Sequence, residues 1–338
     1  MPAPATIEQA VLLVGGLGTR LRPLTYLLPK ALMPVANLPL IAYEIIPLVR
    51  AGVRQIIFAM AYKADLLRAQ FGDGSAYGAE FIYVEEPERL DTAGAIGNVR
   101  AHLTGHFFAC NGDMIYDVDL AAFAADHLAR QALVTFCLRR TDDIAHFGLI
   151  QWDDARRVTA FKEKVPLDET GRNTVNSGFY LMSPEVLDAI PAGRAYSNER
   201  DLFPDLLRRG EALYAHLPQH DGYWADVGRI ETYLSANRHI LQGALSWFRP
   251  ERRSAVPASC GVAEAVDLAA GVTIGHNVTL GPGVAVGAGC VIGDGAVIVD
   301  SILWPGSRVG RGARVHCSVV AAATVPEGAG AINEVIVA

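Results

Sequence analysis

The residues best suited to chemistry lie near the start of the chain, where a cluster of glycines precedes several cations. Gly15, Gly16 and Gly18 follow the apolar run Val11–Val14, and Arg20 comes two positions later. Glycine lacks a Cβ atom, so a ligand can approach the backbone closely, and consecutive N–H groups in such a loop form a cradle for anions. Arginine adds a planar set of donors that matches phosphate oxygens. Together these residues predict a polyphosphate site.

The spacing of this loop differs from two familiar phosphate-binding motifs. It contains no G-x-x-x-x-G-K-[ST], and G-G-x-G-T-R is not G-x-G-x-x-G followed by a helix. Instead, Lys30 follows ten residues after Arg20, between Pro29 and Pro34, and these prolines stiffen a loop. Taken alone, the loop is equally consistent with a tight turn that carries solvated arginines.

The elements that must position these residues follow an alternating pattern up to about residue 235. Apolar runs typical of strands occur at Val11–Val14, Gln55–Ala59, Glu80–Val84, His106–Cys110, Leu133–Leu138 and Phe179–Met182. Helical spacing occurs between them, at Pro39–Ala51, Lys63–Phe71, Ala93–His102 and Leu120–Arg130. This alternation predicts an α/β fold, with a Rossmann-like and mostly parallel sheet. Since ligands gather beyond the carboxyl ends of such strands, we expect Gly15–Arg20 and Asn111–Asp113 to lie there.

The composition changes after Arg253, where lysine disappears and Val, Gly and Ala dominate. An aliphatic residue recurs six positions apart at Ile274, Leu280, Val286 and Ile292, and after a slip of one near Asp300 the spacing resumes. This resembles the hexapeptide repeat of left-handed parallel β-helices, which stack short strands into a continuous core. We expect about three coils.

Hexapeptide repeats also occur in acyltransferases, but His276 and His316 stand alone in this sequence. We therefore expect the β-helix to serve oligomerisation or to act as a structural cap, because open solenoid ends and flat faces invite pairing.

Composition excludes several classes of protein. The 338 residues are 51% hydrophobic and 19% charged, which is typical of a globular protein and allows two domains. A net charge of −7 argues against a general nucleic-acid binder. No apolar run approaches the ~20 residues that span a bilayer, and Met1–Ala10 lacks the features of a signal peptide. The five scattered cysteines predict buried thiols of a cytoplasmic protein.

The stretch Gly15–Lys30 resembles the signature of a known family. Its pattern G-G-x-G-T-R-L-x-P-L-T-x-x-x-P-K is similar to that of the sugar-nucleotide pyrophosphorylases, although Val14 and Ala31 replace the usual Ala and Pro. The resemblance implies the reaction of a sugar 1-phosphate with an NTP to give an NDP-sugar and pyrophosphate. It also divides the chain into a nucleotidyltransferase domain at 1–240, a linker at 241–261 and a β-helix at 262–338.

The same resemblance assigns roles to residues of three motifs. Gly15, Gly16, Gly18 and Thr19 would contact the nucleotide, Arg20 would bind the leaving pyrophosphate, and Lys30 would neutralise charge near the α-phosphate. Asn111-Gly-Asp113 matches the family's N-G-D motif, and Trp224-Ala-Asp-Val-Gly228 resembles W-x-D-I-G. Asp113 and Asp226 would therefore hold Mg²⁺, a cation that prefers carboxylate and phosphate oxygens.

Further motifs concern the sugar phosphate. Phe161–Val165 resembles F-x-E-K-P with Val165 in place of the proline, so Lys164 would pair with the phosphate and Glu163 would accept hydrogen bonds from sugar hydroxyls. Asn176 lies in a stretch similar to N-x-G-x-Y, and the backbone of Gly148 would line the same pocket.

The base and the sugar are indicated by weaker similarities. Leu90–Ala95 resembles the L-G-T-A-G segment of guanylyltransferases, with Asp91 in place of the first glycine, and implies that Thr92 and Gly94 contact the base. The β-helix extension favours the same branch, so GTP and mannose 1-phosphate are the expected substrates. Glucose 1-phosphate with dTTP, UTP or ATP is the alternative.

A protein of a different class could share this fold, namely a non-catalytic regulatory subunit. Five residues that the resemblance assigns to chemistry are all present and favour an enzyme: Arg20, Lys30, Asp113, Lys164 and Asp226.

Overall fold

The computed structural model describes residues 6–61, 64–141, 148–163, 174–219 and 222–338. The chain forms two compact units. One, which we call the α/β unit, comprises Met1–Gly16 and Tyr43–Trp224. The other, the β-helix unit, comprises Leu17–Ala42 and Ala225–Ala338. The segment that carries Arg20 and Lys30 thus belongs to the same unit as the repeats, which the sequence does not predict.

The helices and strands follow the predicted alternation, with small shifts at their ends. The helices are α1 Leu24–Leu27, α2 Ala42–Arg50, α3 Ala64–Phe71, α4 Asp91–Asn98, α5 Leu120–Ala129, α6 Phe203–Arg208 and α7 Ile230–Leu241. The strands before the repeats are β1 Gln9–Leu13, β2 Pro34–Val35, β3 Leu38–Pro39, β4 Gln55–Met60, β5 Glu80–Glu85, β6 Phe107–Asn111, β7 Met114–Tyr116, β8 Val134–Arg140, β9 Gly148–Trp152, β10 Val158–Glu163, β11 Thr174–Met182, β12 Leu213–His216 and β13 Trp224–Asp226.

The α/β unit is built on a nine-stranded sheet with the order β10-β9-β11-β6-β1-β4-β5, while β8 pairs with β11 and β12. Strands β6, β1, β4 and β5 are parallel, and this confirms the predicted Rossmann-like sheet. Strand β11 runs antiparallel to β6, β8 and β9, which alternation along the sequence does not reveal. Ala10, Val11 and Leu12 of β1 are fully buried, as expected for a central strand that helices cover on both faces.

The register of two neighbouring strands brings the predicted loops together. Leu13 at the end of β1 pairs with Asn111 at the end of β6, and the N–H of Gly112 donates to the carbonyl of Leu13 at 3.0 Å. Because both strands point the same way, Gly15 and Asp113 follow their carboxyl ends at one edge of the sheet.

The repeats form a left-handed parallel β-helix with three faces. Two faces carry five strands each and the third carries four. The strands are β14 Gly261–Val262, β15 Val266–Leu268, β16 Thr273–Ile274, β17 Thr279–Leu280, β18 Val284–Val286, β19 Val291–Ile292, β20 Val297–Val299, β21 Ile302–Leu303, β22 Arg308–Val309, β23 Arg314–His316, β24 Val319–Ala321, β25 Thr324–Val325, β26 Gly330–Ile332 and β27 Val335–Val337. The expectation of about three coils is wrong, since five strands on two of the faces correspond to nearly five coils. The later repeats depart from the hexad pattern yet keep the stacking.

The slip of one residue near Asp300 is confirmed by the strand register. Gly261 pairs with Thr279 and Thr279 with Val297, a step of 18 residues, whereas Val297 pairs with Arg314, a step of 17. Asp300 itself has a φ of +46°, so it turns the chain at the shortened corner.

None of the described helices combines the length and the apolar character that crossing a bilayer requires.

Candidate functional site

A cavity of about 220 Å³ opens at the carboxyl ends of the parallel strands in the α/β unit. We call it the cradle cavity. Its lining residues come from the loops after β1, β4, β5 and β6 and from the start of α4, and they include Gly15, Gly16, Ala61, Glu86, Arg89, Asp91, Thr92, Asn111 and Asp113. The structure therefore brings together the first glycines, Thr92 and Asp113, as expected.

Gly15 lines the cavity between Ala61 and Glu86. A Cβ atom at this position would lie 3.4 Å from the Cβ atom of Ala61 and 3.4 Å from Oε1 of Glu86. These are ordinary van der Waals distances, so a methyl group would fit, and a larger side chain would begin to fill the space beside Glu86.

Asn111 and Asp113 both line the same cavity. Oδ1 of Asn111 is buried and accepts no hydrogen bond from the part of the chain that the structure describes. The N–H of Asp113 donates to the carbonyl of Asn111 at 2.7 Å, which holds the turn between the two side chains. A carboxylate beside a buried amide oxygen is a set of hard ligands, so these residues fit Mg²⁺.

Asp91 begins helix α4 with a φ of +60°, in the left-handed region that glycine enters most readily. This explains the departure from L-G-T-A-G, because Asp is among the few other residues that tolerate this conformation. Its Oδ1 accepts the N–H of Thr92 at 2.9 Å, and its other oxygen pairs with Arg200. Asp91 thus holds the turn at the start of α4.

Thr92 and Gly94 have different surroundings in this helix. The hydroxyl of Thr92 accepts the N–H of Asn198 at 2.7 Å, and Thr92 lines the cradle cavity. Gly94 is buried, and a Cβ atom there would lie 2.8 Å from the carbonyl oxygen of Arg194. Close packing therefore requires glycine at this position, and its contact with a base stays a prediction.

Glu86 is a site residue that no motif indicated. It follows β5 directly, its Oε2 accepts the N–H of Leu90 at 2.8 Å, and it lines the cavity next to Gly15. Burial raises the pKa of its carboxyl group. The rule that pointed to Asp113, an acid at the carboxyl end of a parallel strand, would have found Glu86 as well.

The predicted sugar residues lie on the antiparallel strands. In the β9–β10 pair, Gly148 stands opposite Glu163. Asn176 donates from Nδ2 to the hydroxyl of Tyr180 at 2.7 Å, and that hydroxyl donates to Oε1 of Glu199 at 3.1 Å. Glu199 thus lies one hydrogen bond beyond Asn176 and Tyr180, although no motif of the sequence includes it.

Two residues predicted to contact the sugar phosphate lie wholly or partly outside the described part of the chain. Lys164 lies outside the described residues, as does the side chain of Glu163.

The two predicted cationic residues, Arg20 and Lys30, belong to the β-helix unit. Nζ of Lys30 lies 3.9 Å from Oδ1 of Asp226, and Lys30 is 8% exposed on a short 3-10 helix, Lys30–Leu32. A Cβ atom on Gly228 would lie 2.9 Å from Oδ1 of Asp226 and 3.0 Å from Nη2 of Arg20. The glycine of the D-V-G sequence therefore leaves room for Arg20 beside Asp226, so Arg20, Lys30 and Asp226 come together.

Gly18 and Thr19 shape the loop before Arg20. Gly18 has a φ of +58°, its carbonyl accepts the hydroxyl of Thr25 at 3.0 Å, and a Cβ atom there would lie 2.8 Å from Cγ2 of Thr25. Thr19 opens the 3-10 helix Thr19–Leu21. Glycine at position 18 is therefore needed for the turn, and contact of either residue with a nucleotide stays a prediction.

The chain is similar to several known proteins. The model of the nucleotidyl transferase family matches residues 9–243. A mannose-1-phosphate guanylyltransferase of Mycobacterium tuberculosis is 38% identical over 236 residues, which cover 69% of this chain and 65% of the relative. A mannose-1-phosphate guanylyltransferase catalytic subunit beta of Drosophila melanogaster is 32% identical, covering 69% and 63%. A UTP–glucose-1-phosphate uridylyltransferase of Synechocystis is 28% identical over similar shares.

The matched region thus spans slightly less than two thirds of the length of these relatives. Among solved structures, a putative glucose-1-phosphate thymidylyltransferase from Bacillus anthracis aligns with a TM-score of 0.61 at 23% identity, over 69% of this chain and 94% of its own, which supports the fold. The family model covers β1 through α7, and so includes the cradle cavity and the group of Arg20, Lys30 and Asp226. Because it matches more than half of the chain, the chain belongs to the nucleotidyl transferase family.

Proposed function

We propose that this protein transfers a nucleotidyl group from an NTP to a sugar 1-phosphate. An oxygen of the sugar phosphate attacks the α-phosphorus, the bond between that phosphorus and the bridging oxygen breaks, and pyrophosphate leaves. The observation that carries this proposal is the grouping of Arg20 and Lys30 around Asp226, in a chain whose family model covers the same residues.

The reaction needs charge neutralisation rather than a general base, because the attacking phosphate oxygen is already an anion near neutral pH. The protein must hold two polyanions in line and offset the charge that develops on the leaving group. Arg20 would bind the departing pyrophosphate, and Lys30 would lie against the α-phosphate. The bare backbone at Gly15 and Gly16 would let the nucleotide approach closely.

Mg²⁺ would be held at Asp113, with the buried Oδ1 of Asn111 as a further oxygen ligand or an acceptor for metal-bound water. Asp226 is the second carboxylate that the family resemblance assigns to the cation. When bound, the cation would withdraw charge from the phosphate oxygens.

We propose guanine as the base, on the chemistry of the cradle cavity. Oε1 of Glu86 faces the cavity beside Gly15, while Oε2 is anchored by Leu90. Each carboxylate oxygen can accept two hydrogen bonds, so Oε1 and the second lone pair of Oε2 remain for the Watson–Crick edge of guanine, which offers two adjacent donors, N1–H and the N2 amino group. Adenine offers one donor beside an acceptor, and thymine or uracil offers one donor between carbonyls. This chemistry supports GTP, and the names of the guanylyltransferase relatives support mannose 1-phosphate.

The experiment is a pyrophosphate-release assay with Mg²⁺ that crosses GTP, ATP, UTP and dTTP with the 1-phosphates of mannose, glucose and N-acetylglucosamine. We expect GTP with mannose 1-phosphate to exceed every other pair by about tenfold or more in kcat/KM. A uridylyl-, thymidylyl- or adenylyltransferase would show its maximum with glucose 1-phosphate. Absence of release with every pair would overturn the enzymatic proposal in favour of a regulatory subunit.

Several expectations stay predictions. They are the roles of Glu163, Lys164 and Asn176 at the sugar, association of copies through the β-helix, and a cytoplasmic location.

A further inference from the structure

We infer that the β-helix sets the geometry of the Lys30–Asp226 pair, and that Asn37, Tyr233 and Asn237 are the positioning residues through which it does so. The inference rests on the proposed function for its kinetic consequence. It extends the role expected of the repeats from association or capping to direct support of the reaction.

The segment Leu17–Ala42 ends in a small hairpin, in which Val35 of β2 pairs with Leu38 of β3. The two residues at its tip, Ala36 and Asn37, both have left-handed backbones, with φ of 42° and 59°. Ala36 is 1% exposed, so this turn is buried rather than solvated. A buried turn needs hydrogen-bond partners from elsewhere in the unit.

Asn237 on α7 supplies one partner and links it to the β-helix. Its Oδ1 accepts the N–H of Ala36 at 2.9 Å, and its Nδ2 donates to the carbonyl of Gly283 at 3.0 Å. The side chain is 1% exposed, so water cannot replace either bond. A single amide therefore joins the tip of the hairpin to a corner of the coil.

Asn37 makes a second connection at the next position. Its Nδ2 donates to Oδ2 of Asp267 at 2.6 Å and to the carbonyl of Val286 at 3.0 Å, and both partners lie on the β15–β18 face. The other oxygen of Asp267 accepts the N–H of Glu251 at 2.6 Å, which holds that carboxylate in place. The hairpin is thus bonded to two successive coils.

Tyr233 makes the third connection. Its hydroxyl donates to the carbonyl of Pro34 at 2.5 Å and accepts the indole N–H of Trp304 at 2.9 Å. Tyr233 is fully buried and Trp304 is 3% exposed. Leaving such a buried group without its partner costs about 1–3 kcal/mol, so this chain of bonds resists displacement of the hairpin.

Both members of the Lys30–Asp226 pair are attached to this network. The N–H of Met33 donates to the carbonyl of Lys30 at 3.1 Å, and the N–H of Leu40 donates to the carbonyl of Met33 at 3.0 Å, so Lys30 is tied to the hairpin. Asp226 lies just before α7, which begins at Ile230 and carries Tyr233 and Asn237. Movement of the hairpin relative to α7 would therefore alter the 3.9 Å approach directly.

The test compares Asn237→Ala, Asn37→Gly and Tyr233→Phe with Val309→Ala, a matched control in the β-helix core. Asn37→Gly keeps the left-handed backbone and removes only the amide. We expect each of the three variants to lower kcat about tenfold to a hundredfold at a temperature where all remain folded, with KM for the sugar phosphate nearly unchanged. Val309→Ala should lower the melting temperature and leave kcat near the wild-type value.

Equal kcat in the wild type and the three variants would overturn the inference. A fall in the kcat of Val309→Ala as large as in the three variants would also overturn it, because lower stability alone would then account for the loss. Hydrogen exchange over residues 30–41 gives a readout independent of turnover. Faster exchange there in Asn237→Ala, but not in Val309→Ala, is expected even if every substrate pair proves inactive, so failure of the proposed reaction and failure of the network are distinguishable.

Discussion

Lys30 and Asp226 face each other across 3.9 Å, although they lie far apart in the sequence. Their side chains are 9% and 29% exposed, so solvent screens this pair less than it screens pairs at the surface. A buried ammonium beside a carboxylate is suited to receive a phosphate group, because the cation is already desolvated and oriented.

Removing the charge of Lys30 tests its proposed role. We expect Lys30→Met to lower kcat by about two to three orders of magnitude, because charge on the transferred phosphate would no longer be neutralised. Arg314→Met, which removes an exposed cation from β23, serves as the control and should retain activity. Wild-type kcat in a folded Lys30→Met protein would contradict the assignment.

Asp113 should control metal dependence. In Asp113→Asn the carboxylate ligand is lost, so we expect the Mg²⁺ concentration for half-maximal rate to rise and kcat to fall about a hundredfold or more. Direct titration of Mn²⁺ binding, followed by its paramagnetic relaxation of water, reports the metal without relying on turnover. Unchanged Mn²⁺ affinity would argue against Asp113 as a ligand.

Glu86 should decide the base. We expect Glu86→Gln to lower kcat/KM for GTP about tenfold to a hundredfold, because the amide replaces one acceptor oxygen with an NH₂ donor that opposes a donor of guanine or the N–H of Leu90. ITP lacks the N2 amino group, so the wild type should prefer GTP to ITP and the variant should lose most of that preference. A preference that survives the substitution would place base recognition elsewhere.

Because Asp91 has a positive φ, substitutions at this position should lower the free energy of unfolding to different extents. Asp91→Asn should be nearly neutral, because Asn also tolerates a positive φ and can accept the N–H of Thr92. Asp91→Val should destabilise the protein by about 2 kcal/mol, since a β-branched residue is strained in this conformation. Urea unfolding of the two variants gives the comparison. The pair with Arg200 is mostly exposed and should add little.

His127 should make stability fall on acidification. It is fully buried, and burial, followed by the nearby His106, lowers the pKa of its imidazole from 6.5 to about 3. Its ring nitrogens contact His106 at 3.1 Å, Thr135 at 2.8 Å and Ser183 at 3.5 Å. The unfolded chain binds the proton more readily, so the stabilising contribution is complete above pH 6.5 and is lost as the pH falls toward 3.

Between pH 6.5 and 5 this single group should cost about 2 kcal/mol of unfolding free energy. Urea unfolding at pH 7.5 and pH 5 provides the measurement. His127→Gln should show a shallower decline with pH than the wild type, and equal slopes would show that other groups dominate acid unfolding.

Much of the fold could be predicted because it is periodic. The alternation of apolar runs with helical spacing indicates parallel strands. Because the carboxyl ends of parallel strands meet at one edge of the sheet, Gly15 and Asp113 are expected there. The six-residue spacing of Ile274 and its successors indicates the β-helix, including the slip at Asp300. Both patterns are local, since each arises from how a short segment must bury its own apolar side chains.

Other features depend on contacts between distant segments, and only the tertiary structure decided them. The antiparallel position of β11 and the approach of Lys30 to Asp226 leave no periodic trace in the sequence. The attachment of the Leu17–Ala42 segment to the β-helix is the clearest case, because it depends on single amides such as Asn37 and Asn237. A motif names the residues for a reaction, but long-range packing and buried hydrogen bonds determine which of them meet.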